Sequence, residues 1–427
     1  MYLSLYNVLA LLLVVAALFG YLNHRFLRLP STIGLMVLAL VSSVGIVALG
    51  RLEIINVTNI IDALKQIDFQ TILMQVMLSF LLFAGAIHVD AQKLGQQRVP
   101  VFTLATIGML MSTGIVGTLL YWLLPQFGLS LPFMWCLLFG SLISPTDPIA
   151  VLGILKKARI PKQLEISIVG ESLFNDGVAV VVFVSLAQFA TVTGEASPEE
   201  HSIGRLFLQE AVGGVVLGAL LGYIGYRMLR SIDNYQVEVL ITLALVTGGT
   251  ALATALHTSG PLAIVVAGLI IGQQGRQLGM SDETREYVDK FWEMLDEVLN
   301  AILFVLIGFE ILVLHFETVY LLVGVCTIGI VLLARVIAVA LPLRLLNLRR
   351  SFPQHSIKVL TWGGLRGGIS VALALSLPDG EARELLVAVT YVVVVFSIIV
   401  QGLTIGPLVK RLGLSTAATD DEQSAAH

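Results

Sequence analysis

Long runs of apolar residues, separated by short polar stretches, recur along the whole chain. Each run has roughly 17–25 residues, the length that an α-helix needs to cross about 30 Å of hydrocarbon. Thirteen runs meet this criterion: residues 4–23, 30–50, 69–89, 99–125, 132–155, 164–192, 204–226, 236–256, 260–275, 298–314, 318–346, 355–377 and 384–409. The pattern therefore predicts an all-α polytopic membrane protein with about 13 transmembrane helices.

The arrangement of the spans indicates an internal repeat. Thirteen spans divide as six, one and six, so the second group of six starts on the opposite side of the membrane from the first. Inverted repeats of this kind are typical of secondary transporters, whose site lies near the midplane where helices are interrupted. We therefore expect two inverted six-helix repeats with interrupted helices that cross near the midplane.

Two spans at matching positions of the repeats carry helix-breaking sequences. The fifth span of the first group contains Ser144-Pro145-Thr146-Asp147-Pro148, and span twelve contains Gly363-Gly364-Leu365-Arg366-Gly367-Gly368. Proline removes a backbone donor, and paired glycines make a helix easy to unwind. A break within a membrane persists only where protein or water replaces the lost hydrogen bonds. The pair predicts one site between the two breaks, although a proline kink and a glycine packing face would be the simpler interpretation of each.

Span six contributes polar side chains to the same region. Ser172 and Asp176 are four residues apart and share a helix face, and Glu171 and Asn175 form the neighbouring stripe. An ionised group at the bilayer centre costs at least about 2.5–3.5 kcal/mol, so such residues usually have a function. We expect Glu171 to pair with Arg366 or Arg335, with ion ligation as the alternative. Asn175 either joins two helices by a hydrogen bond or takes a direct part in the site.

The balance of charge orients the chain and excludes other classes of partner. Hydrophobic residues make up 57% of the sequence and charged residues 13%, with a mean hydropathy of +0.91. Segments on one side hold 19 of the 25 Lys and Arg residues. Because basic residues are retained in short cytoplasmic loops, we expect an N-terminus outside and a cytoplasmic C-terminus; the resemblance described below implies the cell inner membrane. The net charge of -4 gives no indication of a nucleic-acid partner.

Other segments have simpler predicted roles. Gly214, Gly218 and Gly222 repeat at four-residue spacing, which favours close helix packing. Residues 281–297 are predicted to form an amphipathic helix on the inner surface between spans nine and ten, as a simple connector or, alternatively, a gate. The acidic tail at 415–427 is predicted to be a short disordered cytoplasmic segment. Glu310, inside span ten, is a candidate for an internal pair, but the sequence names no partner for it.

Asp147 and Asp176 suggest the chemistry. Desolvation and mutual repulsion disfavour two bare carboxylates, so the pair should hold a proton or a small hard cation. The Ser172 hydroxyl and a carbonyl at Thr146 could complete the oxygen ligands of Na⁺. Because the same oxygens serve both ions, binding of one expels the other. If the protein switches between inward-facing and outward-facing states only with an ion bound, cation and proton are exchanged without ATP.

At this point the motifs identify a resemblance. Phe174-Asn175-Asp176-Gly177, together with the two break sequences, resembles the monovalent cation:proton antiporter family, in its NhaP-type branch of sodium/proton exchangers. The resemblance implies a thirteen-helix homodimer that exchanges Na⁺ or Li⁺ for H⁺ electroneutrally, 1:1, in pH and sodium homeostasis. It also implies that the protein needs no cofactor and that its partners include membrane lipids.

The resemblance also implies a site and a division into domains. The transported cation would bind Asp147, Asp176, Ser172 and the main chain of Thr146, with Asn175 in support and Glu171 and Arg366 as a structural ion pair. Within a membrane domain at 1–414, a core (69–192 and 298–409) would move like an elevator against a dimerisation scaffold (4–50 and 204–275). One departure is that some relatives have an acid in span three, where this chain has Ala84.

Three alternatives remain at this stage. K⁺/H⁺ exchange could use the same residues, because selectivity depends on cavity size and coordination geometry. Two intramembrane aspartates also describe an aspartyl protease, although Pro-Thr-Asp-Pro and Phe-Asn-Asp-Gly differ from the sequence contexts of such enzymes. A passive channel would want repeated carbonyls or charged rings, and the sequence has no such repeat.

Overall fold

Helices account for nearly all of the regular structure. The computed structural model describes residues 5–52, 77–89, 91–147, 155, 160–191, 203–275, 280–312, 317–347 and 355–414, and no β-strand occurs among them. The helices are α1 (Leu5–Leu22), α2 (Ser31–Arg51), α3 (Leu78–Ile87), α4 (Ala91–Gln96), α5 (Arg98–Phe127), α6 (Phe133–Ile143), α7 (Lys162–Thr191), α8 (Ile203–Leu229), α9 (Tyr235–Ala255), α10 (Gly260–Ile270), α11 (Asp282–Glu310), α12 (Thr318–Asn347), α13 (Ser356–Trp362), α14 (Gly368–Leu375) and α15 (Glu381–Arg411).

Each of the thirteen predicted spans coincides with a helical segment. Eight helices are long and apolar enough to cross a membrane: α1, α2, α5, α7, α8, α9, α12 and α15. The shorter apolar helices α3, α6 and α10 match three more spans, the second half of α11 matches the tenth, and α13 with α14 matches the twelfth. The predicted stretches at 69–76, 148–154, 192, 313–314 and 415–427 lie outside the described residues.

The segment before span ten corrects one expectation. It was predicted to be a separate surface helix, but Asp282–Glu310 is one continuous helix of 29 residues. The side chain of Ser281 caps its first turn by accepting from the Thr284 N–H, and neither proline nor glycine interrupts it before Gly308. Trp292 is fully buried and packs on Phe83 of α3, with ring centroids 4.5 Å apart. The apolar face of this segment therefore packs on other helices, where the prediction placed it on lipid headgroups.

The glycine stripe of α8 packs closely against α10, as predicted. A Cβ added at Gly214 would come within 2.7 Å of the Ser259 carbonyl oxygen, and one added at Gly218 would overlap the backbone of Ala263. A Cβ added at Gly222 would lie 3.0 Å from the Cα of Ala267. These glycines let two backbones come into contact, the usual use of small residues in membrane helix packing.

Several contacts join helices that the predicted domains would separate. Ser43 of α2 donates a hydrogen bond of 2.9 Å to the carbonyl oxygen of Gly308 on α11. Gly268 of α10 lies against Phe83 and Ala86 of α3. Both α3 and the second half of α11 were assigned to the core, whereas α2 and α10 were assigned to the scaffold. The division into core and scaffold stays a prediction.

Helix α7 lies in the interior of the bundle. Of its most apolar 18-residue stretch, 78% of the residues are buried, against 22% for α1 and 33% for α2. It contacts α5, α6, α8, α10 and α14. The polar residues of α7 are therefore surrounded by protein on most sides, which requires that other helices satisfy them.

Candidate functional site

The two interrupted helices meet at their breaks. Helix α6 ends at Ile143, and the chain from Ser144 to Asp147 is not helical. The backbone N–H of Asp147 donates a hydrogen bond of 2.8 Å to the carbonyl oxygen of Leu365, between α13 and α14. Asp147 and Leu365 thus form an isolated antiparallel bridge. Both predicted breaks are confirmed, and each supplies a backbone partner that the other would otherwise lack.

The buried side chain of Arg366 binds the backbone where the two interrupted helices cross. Its guanidinium is buried, and Nη1 donates to the carbonyl oxygens of Ser144 and of Pro145, the latter at 2.9 Å. Its backbone N–H donates to the Ser397 hydroxyl at 2.9 Å, within a π-helical turn of α15. An interrupted helix leaves carbonyls without partners, and a guanidinium has five N–H groups with which to satisfy them. Arg366 is therefore bonded to the broken backbone of α6.

The ion pair of Glu171 involves a different arginine from the one that the resemblance implied. Arg335 of α12 binds both carboxylate oxygens of Glu171, with Nη2 to Oε2 at 3.0 Å, and its Nη2 also donates to the carbonyl oxygen of Leu360 at 3.0 Å. Glu171 is 1% exposed. Gly364 makes room for this pair, because a Cβ there would lie 2.5 Å from the Arg335 Nε. The sequence allowed either arginine, and pairing with Arg366 is wrong because that guanidinium binds backbone carbonyls.

Asn175 holds the backbone and side chain of Thr146. Its Nδ2 donates to the Thr146 hydroxyl at 2.9 Å, and its Oδ1 accepts from the Thr146 N–H at 3.4 Å. The Ser172 hydroxyl lies 3.0 Å from that of Thr146. Both ends of the Asn175 amide are therefore directed at one residue of the break. Of its two predicted roles, the structure shows the hydrogen bond between α7 and the break.

These contacts bring Asp147 and Asp176 into one place. Asp147 directly follows Thr146 in the chain, and Asp176 directly follows Asn175, so the hydrogen bonds between Thr146 and Asn175 also draw the two aspartates together. Asp176 is buried on α7. The two carboxylates are close enough that their charges interact. Gly367 lies directly against Asp147, since a Cβ added there would overlap the carboxylate. The structure thus gathers two carboxylates and two hydroxyls between α7 and the crossed breaks.

Two further positions singled out by the sequence lie on other helices, α3 and α11. Ala84 is buried in α3, and its carbonyl oxygen lies 2.7 Å from Nδ1 of His88. Glu310 lies at the end of α11, where the charge of Arg383 acts on it. Sequence reasoning missed the contributions of Ser397 and of its partner Gln401, whose Oε1 accepts from the Ser397 hydroxyl at 2.7 Å. Both are polar residues in an apolar run and lie four residues apart on α15, a spacing that is the signal by which they could have been found.

The chain is similar to a known family and to known proteins over most of its length. A family described as sodium/hydrogen exchanger, transmembrane, matches residues 13–411. The Na(+)/H(+) antiporter NhaP of Pseudomonas aeruginosa is 52% identical over 412 residues, which cover 95% of this chain and 96% of that protein. The Na(+)/H(+) antiporter NhaH of Halobacillus dabanensis is 36% identical over 397 residues, 91% of this chain and 94% of that protein.

A solved structure shares the fold. The sodium proton antiporter MjNhaP1 from Methanocaldococcus jannaschii superposes with a TM-score of 0.76, covering 95% of this chain and 98% of that chain. Sequence identity across the superposition is 21%, so the likeness concerns the fold alone. The all-helical antiporter architecture expected from the sequence is confirmed.

Proposed function

The chain belongs to the sodium/hydrogen exchanger family, and we propose that it exchanges Na⁺, or Li⁺, for H⁺ by alternating access at Asp147 and Asp176. The observation that carries this proposal is the hydrogen bonding between Asn175 and Thr146. It links the buried helix α7 to the broken end of α6 and so holds two aspartates, one on α7 and one in the break, at one point.

The oxygen atoms gathered there suit either ion. A partly dehydrated Na⁺ can take oxygens from Asp147, Asp176, Ser172 and the main chain of Thr146. Two carboxylates in a site shielded from water repel each other, so without a cation a proton relieves the repulsion. Sodium and proton therefore compete for the same charge. Competition becomes exchange when the protein switches between its inward-facing and outward-facing states only while an ion is bound at the site.

The charges around the site support an electroneutral 1:1 exchange. Glu171 is held in an ion pair with Arg335, and Asn175 is an uncharged amide bonded to Thr146. We therefore assign the exchanged charge to the two aspartates. One proton leaves when one Na⁺ binds, and no net charge crosses the membrane in a complete cycle.

The larger-scale parts of the proposal follow the resemblance. We assign the protein to the cell inner membrane with its C-terminus in the cytoplasm, as a homodimer whose core moves like an elevator. Neither ATP nor a cofactor takes part, and the physiological role is pH and sodium homeostasis. The glycine contacts between α8 and α10 would let part of the bundle act as a rigid scaffold.

Two alternatives are weighed against this function. The matched family and relatives are transporters, so the protein is not an enzyme and the aspartyl protease hypothesis is excluded. Potassium/proton exchange would use the same oxygens. The two curated relatives described above are named as sodium antiporters, which favours Na⁺ for this chain.

Transport by purified protein tests the proposal. Proteoliposomes with an imposed pH gradient and a lumenal pH dye receive Na⁺, Li⁺ or K⁺ in turn. We expect Na⁺ to dissipate the gradient with wild type and with Glu283→Gln, whose side chain is exposed, but not with Asp176→Asn. Normal exchange by Asp176→Asn would contradict the shared site, and a stronger response to K⁺ than to Na⁺ would support the potassium alternative.

A further inference from the structure

Helix α11 carries a row of acidic residues on one face. Asp289, Glu293 and Asp296 are spaced by four and three residues, which places them on a common side of the helix. Glu293 is exposed, whereas Asp289 and Asp296 are half-buried. The row therefore runs from the end of the helix at Asp282 towards the interior of the protein, and that end lies on the predicted cytoplasmic side.

Asn300 continues the row by one more turn. It is 2% exposed, and neither its Nδ2 nor its Oδ1 has a hydrogen-bond partner of good geometry within the described part of the chain, although the amide lies beside the Asp296 carboxylate. Buried amides are nearly always hydrogen-bonded in folded proteins. The Asn300 amide is thus held only by a poorly aligned contact with Asp296, which leaves its carbonyl oxygen available to a polar guest.

The row ends against the candidate site. Leu303, one turn beyond Asn300, contacts Gly368 at the start of α14, where an added Cβ would lie 2.6 Å from its Cδ1. The preceding residue, Gly367, lies against the Asp147 carboxylate. Asp296 is close enough to Asp147 for their charges to interact. The inner end of the acidic row therefore lies near one of the two aspartates.

From this geometry we propose that Asp296 and Asn300 form a second, transient cation site between the cytoplasmic surface and Asp147. The inference rests on the proposed sodium/proton exchange. Asp296 supplies negative charge and Asn300 a neutral carbonyl oxygen, so a cation could lose part of its hydration shell there before it reaches the two aspartates. The exposed carboxylates nearer the surface raise the local cation concentration, because clefts lined by one sign of charge attract the opposite ion.

The experiment measures the apparent KM for Na⁺ separately at each membrane face, in everted and right-side-out vesicles. For Asp296→Asn we expect a rise of about three- to tenfold at the cytoplasmic face, with kcat and the outer-face KM within about twofold of wild type; tenfold in affinity corresponds to about 1.4 kcal/mol. Asn300→Ala should shift the same constant in the same direction. Glu297→Gln is the matched control, because it removes the same charge at the neighbouring, exposed position.

Several outcomes would overturn the inference. They are an unchanged cytoplasmic KM in both variants, equal changes at both faces, an equal change in Glu297→Gln, or a fall in kcat without a change in KM. The conservative variant Asp296→Glu separates ion binding from a structural role, since it should recover most of the wild-type KM. If wild-type protein shows no sodium-dependent proton movement, the proposed function itself fails, and this result is distinct from any effect of the variants.

Discussion

The backbone N–H of Asp147 donates to the carbonyl oxygen of Leu365 over 2.8 Å, so the two interrupted helices satisfy each other where they cross. This bond holds the backbone at one aspartate of the site, while α7 carries the other. A change on either side of the crossing is therefore expected to affect the position of Asp147 as well as the stability of the fold.

Arg366→Ala should destabilise the protein by removing donors from the broken end of α6. Hydrogen bonds from a charged donor contribute about 1.5–3 kcal/mol each, and Arg366 makes two to carbonyl oxygens. We expect a lower melting temperature in detergent and impaired exchange. Arg366→Lys should recover part of the stability, because an ammonium also donates to carbonyls. A wild-type melting temperature for Arg366→Ala would show that the two bonds are dispensable.

Arg335→Ala should be costly because it leaves Glu171 as an unpaired buried carboxylate, a change that typically destabilises by about 3–5 kcal/mol. Arg344→Ala, on the exposed side of the same helix, is the matched control and should have little effect. Removing both charges in Arg335→Leu/Glu171→Leu should restore much of the loss. Melting curves of the four proteins test the pairing, and a double variant no more stable than Arg335→Ala would contradict it.

Gly367→Ala should reduce exchange while leaving most of the fold intact. A Cβ at this position would overlap the Asp147 carboxylate, so the Asp147 side chain must shift from its present place in the site. We expect a higher KM for Na⁺ and a lower rate in proteoliposomes. Gly329→Ala on α12, where an added Cβ meets nothing within 4 Å, provides the comparison. Equal activity of the two variants would indicate that the exact placement of Asp147 is unimportant.

The pH dependence of sodium affinity should report how many protons each cation displaces. Because ligands must be deprotonated to bind the cation, affinity falls as the pH falls. With one proton displaced, the apparent KM should rise by at most about tenfold per pH unit on the acidic side, and with two protons by about a hundredfold. Initial rates measured across a pH series, with equal pH on both faces, distinguish these slopes. A slope of two would contradict the 1:1 stoichiometry.

Local features of the sequence were sufficient for the spans and the breaks. Apolar runs of membrane-crossing length predict helices wherever they occur. The prediction for 281–297 was wrong because its amphipathic face could pack equally well on lipid headgroups or on other helices. Proline at 145 and glycines at 363 and 364 act on their own backbone, so the interruptions needed no knowledge of their neighbours. The same is true of the face shared by Ser172 and Asp176, because it follows from helix geometry alone.

Partners between distant segments were decided only by the tertiary structure. Glu171 and Arg335 are 164 residues apart, and Arg366 reaches Ser144 across 222 residues. Two buried arginines were available to one glutamate, and charge alone favours both equally. The choice depends on which helices pack together and on where Gly364 leaves room for a guanidinium. By itself the sequence determined which residues are polar inside the membrane; the packing of helices decided which of them meet, because side-chain contacts depend on distances that no local pattern contains.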